Sequence, residues 1–274
     1  MVAQKDKNRN NFIRKDKSKI SKETNEREVI FGRNACLGCL NGKSRKIYAV
    51  YLLATKWNEY YNLVPEQYKQ LCKKCDVREM FSIAHNDKHQ GIALKASKYS
   101  FSSIDDLLFD GNKDEGIAGS SKALFLLDRV QDPHNVGNII RTAYCLNIDG
   151  VILTERSSCG ITSSVVRTSA GYSERLDIYK VNNAVQAVEK FKQNGYWIIG
   201  FDVNANTKDN LRGVVNKYDK CIFIFGSEGE GVKDLLKKNC DIILKLPMRE
   251  GAESLNVANT TAIVGWEWMN KLIK

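Results

Sequence analysis

Three short segments in the C-terminal half combine residue types that can do chemistry on a bound ligand. The first, DRVQDPHNVGNIIRTA at 128–143, joins the end of an apolar run to a helical pattern. It contains an amide at Asn135, a glycine at Gly137 and a guanidinium at Arg141. Amides and guanidinium groups stabilise an oxygen that develops negative charge. Asn135 can instead be an ordinary helix N-cap, and Gly137 lets a neighbouring backbone or substrate approach closely.

The second segment, FIFGSEGEGV, places Gly226, Gly229 and Gly231 directly after an apolar strand. This glycine spacing is not that of dinucleotide-binding loops, and no Lys-Ser/Thr pair follows, so a nucleotide-dependent oxidoreductase and a P-loop are both disfavoured. Glu228 and Glu230 would repel a pyrophosphate, and they suit a ligand with a positive charge or many hydrogen-bond donors. A tight strand-to-helix turn without a ligand is the alternative interpretation.

The third segment, LKLPMREGAESLNVANTTAIVGWEW at 244–268, begins as a strand that Pro247 ends. Ser254, Asn256 and Asn259 then open an otherwise apolar helix. Ser254 is a normal N-cap residue, but three polar side chains exceed what capping needs. Because ligands of parallel sheets bind beyond the carboxyl ends of the strands, we expect the three segments to meet there.

Taken together, the three segments resemble the SpoU/TrmH family of RNA ribose methyltransferases. The family signature is Asn-x-Gly-x-x-x-Arg, then Gly-x-Glu-Gly-x-Gly, then Pro-Met followed by Ser-Leu-Asn-Val. The matching positions here are Asn135, Gly137 and Arg141, then Gly226 through Gly231, then Pro247, Met248 and Ser254 to Val257. The order and spacing match across about residues 121–272. REVIFGRNA and HQGIAL in the N-terminal half look like the family's substrate-binding domain, and the chain looks closest to members that methylate a guanosine of large-subunit (23S-type) ribosomal RNA.

The resemblance implies an α/β protein whose C-terminal parallel-sheet methyltransferase domain is an α/β-knot, a deep trefoil knot, preceded by a small α/β substrate-binding domain. It also implies S-adenosylmethionine as cofactor, structured RNA as partner and a homodimer; no bound metal is expected, because the cysteine pairs described below are interpreted as core residues. The residues implied for the catalytic face are Asn135, Arg141, Glu228, Ser254 and Asn256. Those implied for cofactor binding are Gly226, Gly229, Gly231, Leu246, Pro247, Met248, Leu255 and Asn256.

In the reaction that the family catalyses, a ribose 2′-OH must be positioned and must lose its proton. Positioning alone contributes about 7–11 kcal/mol in favourable cases. Arg141 is the family's proposed proton acceptor, but an arginine side chain keeps its proton in proteins. We therefore assign Arg141 to stabilising the developing alkoxide and to holding an adjacent phosphate. His134 lies near these residues and is interpreted first as a turn residue.

The elements that must position these residues follow from apolar runs that alternate with helical patterns from Lys122 onward. The predicted strands are 123–128, 150–153, 175–181, 196–202, 221–226 and 241–246. The predicted helices are 135–147, 183–194, 231–239 and 254–272. Nearly continuous apolar strands that alternate with helices are typical of a parallel sheet covered on both faces.

Four regions are predicted along the chain: a basic tail at 1–28, an RNA-binding α/β domain at 29–109, a linker at 110–121 and the knotted domain at 122–274. Within the second, a helix is expected from Gly32 to Leu40, with strands at 46–54 and 91–96 and helical spacing over 64–75. The linker is predicted because DGNKDEGIAGSS is rich in glycine and polar residues.

The charge of the chain favours a polyanionic partner. The formal net charge is +10, and residues 1–28 contribute nine basic and five acidic side chains, so a net +6 belongs to the remainder. That distribution favours nucleic acid binding over a charged tail alone, although a solvated basic surface is the alternative. No apolar run is long enough to span a membrane and the N-terminus does not resemble a secretory signal, so a cytoplasmic location is expected.

Two cysteine pairs leave another class of protein open. Cys72 and Cys75 precede His85 and His89 with spacing similar to a zinc finger, although only nine residues separate the pairs. Cys36-x-x-Cys39 adds another pair, but both cysteine pairs are predicted in helical stretches where thiols fill cores. The cysteine pairs leave a non-catalytic zinc and RNA-binding module as one alternative. Two further alternatives do not depend on the cysteines: a catalytically silent RNA chaperone and a transfer RNA 2′-O-methyltransferase.

Overall fold

The computed structural model describes residues 27–111, 121–155 and 158–273. Most of the predicted tail and the central part of the predicted linker lie outside these described residues. No helix within the described segments is long and apolar enough to cross a lipid bilayer.

The N-terminal half forms a four-stranded sheet in the order β1-β4-β2-β3. β4 pairs antiparallel with β1 and β2, whereas β3 pairs parallel with β2. The strands are β1 (Arg27–Phe31), β2 (Ile47–Leu53), β3 (Cys72–Cys75) and β4 (Ile92–Ser97). The helices are α1 (Arg33–Asn41), α2 (Trp57–Tyr61) and α3 (Val77–Ala84). The predicted strands and the first predicted helix are confirmed, and β1 begins two residues inside the predicted tail.

The helical spacing predicted over 64–75 is wrong at its C-terminal end. A 3-10 helix occupies Glu66–Leu71, and the chain then extends as β3. The open edge of β2 explains the difference, because it offers backbone partners that an isolated helical pattern does not reveal. The helix α3 was not expected, although its sequence contains a signal: Asp76 and Glu79 form a capping box.

The C-terminal half forms a six-stranded sheet in the order β10-β8-β9-β5-β6-β7, and every pair of neighbours is parallel. This confirms the predicted fold class for the sheet. The strands are β5 (Lys122–Leu127), β6 (Gly150–Thr154), β7 (Asp177–Val181), β8 (Trp197–Phe201), β9 (Lys220–Phe225) and β10 (Ile242–Leu244). The central strands β5 and β9 are buried along almost their whole length because helices cover both faces of the sheet.

The helices of this half begin later or end earlier than predicted in several places. They are α4 (Ile104–Gly111), α5 (Pro133–Cys145), α6 (Ser163–Thr168), α7 (Ala184–Gln193), α8 (Leu211–Lys217), α9 (Asp234–Lys237) and α10 (Val257–Leu272). The helices α4, α6 and α8 were not predicted, and α9 spans only four of the nine residues expected to be helical.

The caps of two helices differ from the predicted ones. The N-cap of α5 is Asp132, whose side chain accepts a hydrogen bond from the His134 backbone, so Asn135 is not the cap. The N-cap of α10 is Asn256, which accepts from the Ala258 backbone at 2.9 Å, so the prediction of Ser254 as cap is wrong. In each case the N-cap is the residue whose side-chain oxygen accepts a hydrogen bond from a backbone N–H of the first turn.

The two sheets share one interface. Ser102 forms a parallel bridge with Tyr179 of β7, and Ile104, Leu107 and Leu108 of α4 pack against the core beside the C-terminal sheet. The structure thus places α4 with the C-terminal sheet, whereas the predicted division put 104–109 in the N-terminal domain. Nothing in the polar, glycine-rich stretch that follows α4 indicates that the apolar side chains of this helix pack against the C-terminal sheet.

A buried cluster that we call the seam fixes the two sheets against each other. Arg45, whose side chain is fully buried, donates to Glu174 Oε1 at 2.9 Å and to the Ile161 carbonyl at 2.7 Å. It also bonds to Ser97 O and Glu28 on its own side. Gly38 and Gly171 meet beside it so closely that a Cβ on Gly38 would lie 2.5 Å from the Gly171 carbonyl oxygen.

Candidate active site

The glycine segment after β9 forms a closed loop at the carboxyl end of the sheet. Ser227 and Gly231 exchange two backbone hydrogen bonds, at 3.2 and 3.0 Å. The chain crosses itself so tightly that a Cβ on Gly226 would lie 1.9 Å from the Gly231 carbonyl carbon. Only glycine fits at Gly226. We call residues 226–231 the glycine loop.

A cavity of about 630 Å³ opens beside the glycine loop, between the segments that follow β8, β9 and β10. The glycine loop lines it with four residues that the sequence predicted: Gly226, Glu228, Gly229 and Gly231. The segment after β10 lines it with five more: Leu246, Met248, Ser254, Leu255 and Asn256. The segments that follow β8, β9 and β10 are far apart along the chain, and they meet around one cavity because the carboxyl ends of parallel strands lie at the same edge of the sheet.

Three polar side chains form a cluster at the edge of this main cavity. Asn135 donates to Glu228 Oε1, and Asn256 donates from Nδ2 to the same oxygen at 3.2 Å. Asn256 also donates to Asn135 Oδ1 at 3.2 Å. Asn135 is buried, whereas Glu228 and Asn256 are exposed. The cluster therefore orients one carboxylate by two amides and leaves it open to solvent.

Local backbone structure places each of these three side chains. Asn135 lies in the first turn of α5 and Glu228 at the tip of the glycine loop. Asn256 has two roles, because its Oδ1 caps α10 while its Nδ2 points to the cluster. Gly137 lies two residues after Asn135 in α5, where a Cβ would be 2.6 Å from the Thr168 side chain. The close approach predicted at Gly137 is confirmed, and its neighbour is α6.

Three predicted residues do not line the main cavity, and one of them, Asn135, contacts Glu228 at its edge. Pro247 does not line it, although its neighbours Leu246 and Met248 do. Arg141 lies on the outward face of α5 with Asn138 and Cys145, and all three are exposed. Arg141 forms no hydrogen bond or ion pair with any of the described residues, so its guanidinium is available to an incoming group.

Sequence reasoning missed the contribution of the segment after β8. Phe201, Asp202 and Asn204 line the main cavity. Phe201 and Asp202 end the strand predicted over 196–202 and Asn204 follows it, and this position at a strand end was the available signal. Asp202 forms an ion pair with Lys237. The hydrogen bond from Lys237 lowers the pKa of the Asp202 carboxyl, which keeps it ionised beside the cavity.

A second cavity, of about 490 Å³, lies on the other side of the glycine loop. Ser227, Glu228 and Glu230 line both cavities, so the loop forms the wall between them. The remaining lining comes from the β5–α5 turn and the first turn of α5, and it includes Arg129, Gln131, Asp132 and Asn135. The polar cluster of Asn135 and Glu228 therefore has access to both spaces.

The cysteine pairs do not form a metal site within the described residues, where no three His, Cys, Asp or Glu side chains converge. Cys36 and Cys39 are buried in α1, and burial raises the pKa of both thiols. Cys72 and Cys75 lie at the two ends of β3 rather than in a helix. These thiols pack against hydrophobic neighbours, which is the ordinary role of a small buried cysteine.

Comparison with known families and proteins gives consistent matches over both halves. Residues 122–266 match the SpoU rRNA Methylase family, and residues 29–102 match a family described as RNA 2′-O ribose methyltransferase substrate binding. An uncharacterized tRNA/rRNA methyltransferase of Mycobacterium avium is 32% identical over 251 residues, which cover 89% of this chain and 77% of that protein. A Bacillus subtilis protein, YacO, which is named as a TrmH family tRNA/rRNA methyltransferase, is 28% identical over 90% of this chain and 96% of its own length.

Two solved structures share the fold over nearly the whole chain. An AdoMet-bound rRNA methyltransferase from Sinorhizobium meliloti superimposes with a TM-score of 0.75 at 19% identity, covering 93% of this chain and 92% of that one. The SpoU methyltransferase AviRb from Streptomyces viridochromogenes, in complex with AdoMet, gives a TM-score of 0.71 at 16% identity and covers 92% of each chain.

Proposed function

The chain belongs to the SpoU rRNA methylase family, and we propose that it transfers a methyl group from S-adenosylmethionine to a ribose 2′-OH of structured RNA. The main support is the arrangement of Asn135, Glu228 and Asn256 at the border between two cavities. A donor in one cavity and an acceptor in the other would meet at this cluster. We propose a guanosine of 23S-type ribosomal RNA as the target, with a transfer RNA ribose as the alternative.

The residues of the main cavity fit S-adenosylmethionine. The volume is within the usual range for small-ligand sites. Its apolar surface comes from Phe201, Leu246, Met248 and Leu255, which suit a purine ring. Backbone groups of the glycine loop are accessible beside them, since a Cβ on Gly229 would meet no atom within 4 Å.

The charge of the main cavity also fits a cationic ligand. The acidic residues that line it are Asp202, Glu228, Glu230 and Glu253. The basic residue in the lining is Lys237, and it is paired with Asp202. A cavity with this excess of carboxylates attracts a sulfonium and repels a nucleotide phosphate. This result agrees with the inference from the glycine spacing against a dinucleotide.

When bound, the cofactor supplies a methyl group that is already activated by a positive sulfur. The protein must then hold the ribose hydroxyl in line and assist the loss of its proton. We assign Glu228 to the hydroxyl, because two amides fix its Oε1 and leave the carboxylate exposed to an acceptor. Ser254 lines the cavity and is exposed beside this cluster. Arg141 would stabilise the developing alkoxide or hold the neighbouring phosphate.

Helix α2 and strand β3 of the N-terminal half present a surface suited to RNA. Trp57 and Tyr61 stack with their ring centroids 4.8 Å apart. The Lys74 ammonium lies 4.9 Å from the Trp57 ring centroid, and Lys69 lies 5.4 Å from that of Tyr61. Aromatic rings stack on exposed bases and lysines neutralise phosphates. We propose that this surface contacts the RNA at a distance from the methylated nucleotide.

We also propose that the protein is a homodimer and that its C-terminal segment is knotted. Ile263 and Trp266 expose 42% and 56% of their surface on α10, which packs on α5. An apolar stripe of this kind is typical of a protein contact, and we propose that a second copy of this chain binds there.

The path of the C-terminal segment supports the knot. β10 lies at the sheet edge beside β8, yet α10 returns to α5. We infer that the C-terminal segment threads a loop on this return path.

Methyl transfer to two kinds of RNA tests the proposed function. The full chain would be incubated with S-adenosylmethionine labelled in its methyl group and with unmodified transcripts of large-subunit ribosomal RNA or of transfer RNA. We expect label in the ribosomal RNA, at a site where alkaline hydrolysis fails because the 2′-oxygen is blocked. Label in transfer RNA alone would favour the alternative target. No label in either RNA would contradict the proposed activity.

A further inference from the structure

The second cavity has the geometry of a place for the acceptor nucleotide. It shares the polar cluster with the main cavity, and the glycine loop separates the two spaces. Its lining is strongly acidic, with carboxylates from Asp132, Glu228 and Glu230. Every nucleotide of RNA brings a negative phosphate, so a cavity of this charge needs a cation to admit one.

Arg129 is the cation of that lining, within the residues that the structure describes. Its guanidinium forms an ion pair with Glu230 and donates to the Gly231 carbonyl at 3.2 Å. It lies 3.5 Å from Asp128, a buried residue that also accepts from the Lys233 backbone at 3.1 Å. Arg129 thus contacts the outer side of the glycine loop and faces the second cavity.

The backbone of Arg129 is in a conformation that favours glycine. Its φ is 62°, in the left-handed region that a side chain with a Cβ occupies only under strain. The turn itself therefore does not require arginine. The presence of arginine is therefore explained by its side chain, which contacts the glycine loop and lines the second cavity.

We propose that the second cavity receives the acceptor nucleotide and that Arg129 binds its phosphate, with Glu230 occupying the guanidinium until RNA arrives. This inference rests on the proposed function and adds a residue that selects and positions the acceptor. The exchange is feasible because the Glu230 side chain is 75% exposed and can turn into solvent, whereas the Arg129 side chain, 14% exposed, stays against the glycine loop. Asp128, only 6% exposed, keeps the guanidinium in place during the exchange.

Two substitutions with opposite expected effects test the proposal. Arg129→Gly removes the cation and relieves the backbone strain, which offsets part of the loss of the Asp128 contact, while Asp128 keeps its hydrogen bond from the Lys233 backbone. The variant's affinity for a fluorescent hairpin RNA should fall about tenfold, and the slope of log affinity against log salt should decrease by about 0.7–0.9. Glu230→Gln removes the internal competitor, and RNA affinity should increase by up to about fivefold.

A purely structural role for the pair predicts a different pattern. Both variants would then lower thermal stability and the affinity for S-adenosylmethionine, and RNA affinity would not rise in Glu230→Gln. That pattern, or unchanged RNA affinity in Arg129→Gly, would overturn the proposal. The matched controls are Lys190→Gln and Asp105→Asn, which break an exposed ion pair of 2.7 Å behind the sheet and should leave RNA affinity within about twofold.

Binding of the hairpin does not require methyl transfer, so the two proposals fail separately. A parent protein that binds S-adenosylmethionine and RNA but methylates neither RNA would contradict the proposed function. The opposite shifts of Arg129→Gly and Glu230→Gln would still be measurable in that case.

Discussion

Two polar clusters in this molecule each hold a carboxylate, and they differ in how far solvent reaches them. In the seam, Arg45 and Glu174 are both fully buried, and the guanidinium makes four hydrogen bonds to neighbours from both halves of the chain. At the border of the two cavities, Glu228 is exposed and is held by amides alone. The first cluster is closed to solvent, whereas the second leaves its carboxylate accessible to a ligand.

The difference shows how the protein separates orientation from chemistry. A buried ion pair contributes little net stability compared with apolar packing, but it penalises any arrangement that breaks it. The seam therefore specifies one orientation of the N-terminal sheet relative to the cavities. The seam thereby orients the surface that contains Trp57 and Tyr61 relative to Glu228, which the proposed reaction on one ribose of a large RNA would require.

The largest expected effect is at the seam. Arg45→Met should lower the free energy of unfolding by about 3–5 kcal/mol, because it leaves the Glu174 carboxylate buried without a partner. Urea denaturation measures this change. As a control, Arg212→Met breaks an exposed pair with Glu267 and should cost no more than about 1 kcal/mol. Equal losses in the two variants would contradict the role assigned to the seam.

The same variant should respond to pH in a defined direction. Burial raises the pKa of Glu174, and Arg45 opposes that shift. Without Arg45 the folded-state pKa rises further above the unfolded value, so the folded state binds the proton more readily. Stability of Arg45→Met should therefore increase as the pH falls through that raised pKa, and its deficit relative to the parent should shrink. A deficit that is independent of pH between neutral and mildly acidic conditions would exclude this explanation.

We refer to the cluster of Asn135, Glu228 and Asn256 as the open cluster. We expect a substitution in it to reduce activity with little loss of stability. Asn256→Asp keeps an oxygen that can cap α10, so the free energy of unfolding should change by less than about 0.5 kcal/mol. It removes the donor to Glu228 and adds a second negative charge, and turnover should fall about 100-fold. Asn183→Asp, the same change at the N-cap of α7, should leave turnover unchanged. Equal activity of the two variants would show that Asn256 is only a cap.

A smaller effect is expected from Arg141, which belongs to neither cluster. Arg141→Lys keeps the charge but loses the planar fork, so turnover should fall about 10- to 100-fold with unchanged thermal stability. Steady-state rates of methyl transfer measure this effect, and Arg212→Lys controls for an exposed arginine. Near-normal turnover would remove Arg141 from the site and restrict the chemistry to the open cluster.

The sequence predicts the open cluster better than the seam, for a physical reason. Apolar strands alternate with helices, and a parallel sheet brings the ends of its strands together, so residues after β5, β9 and β10 could be expected at one edge. The partners Arg45 and Glu174 are 129 residues apart, and nothing at either position distinguishes them from exposed residues. The left-handed backbone of Arg129 also has no signal in its residue type.

The identity of the methylated atom tests the central claim most directly. Ribosomal RNA methylated by the full chain would be digested completely to nucleosides and analysed by mass spectrometry, with fragmentation that separates base from sugar. If the open cluster orients a ribose, the added methyl group stays with the sugar of a guanosine, and Asn256→Asp yields far less of this product. A methyl group that stays with the base would contradict the account.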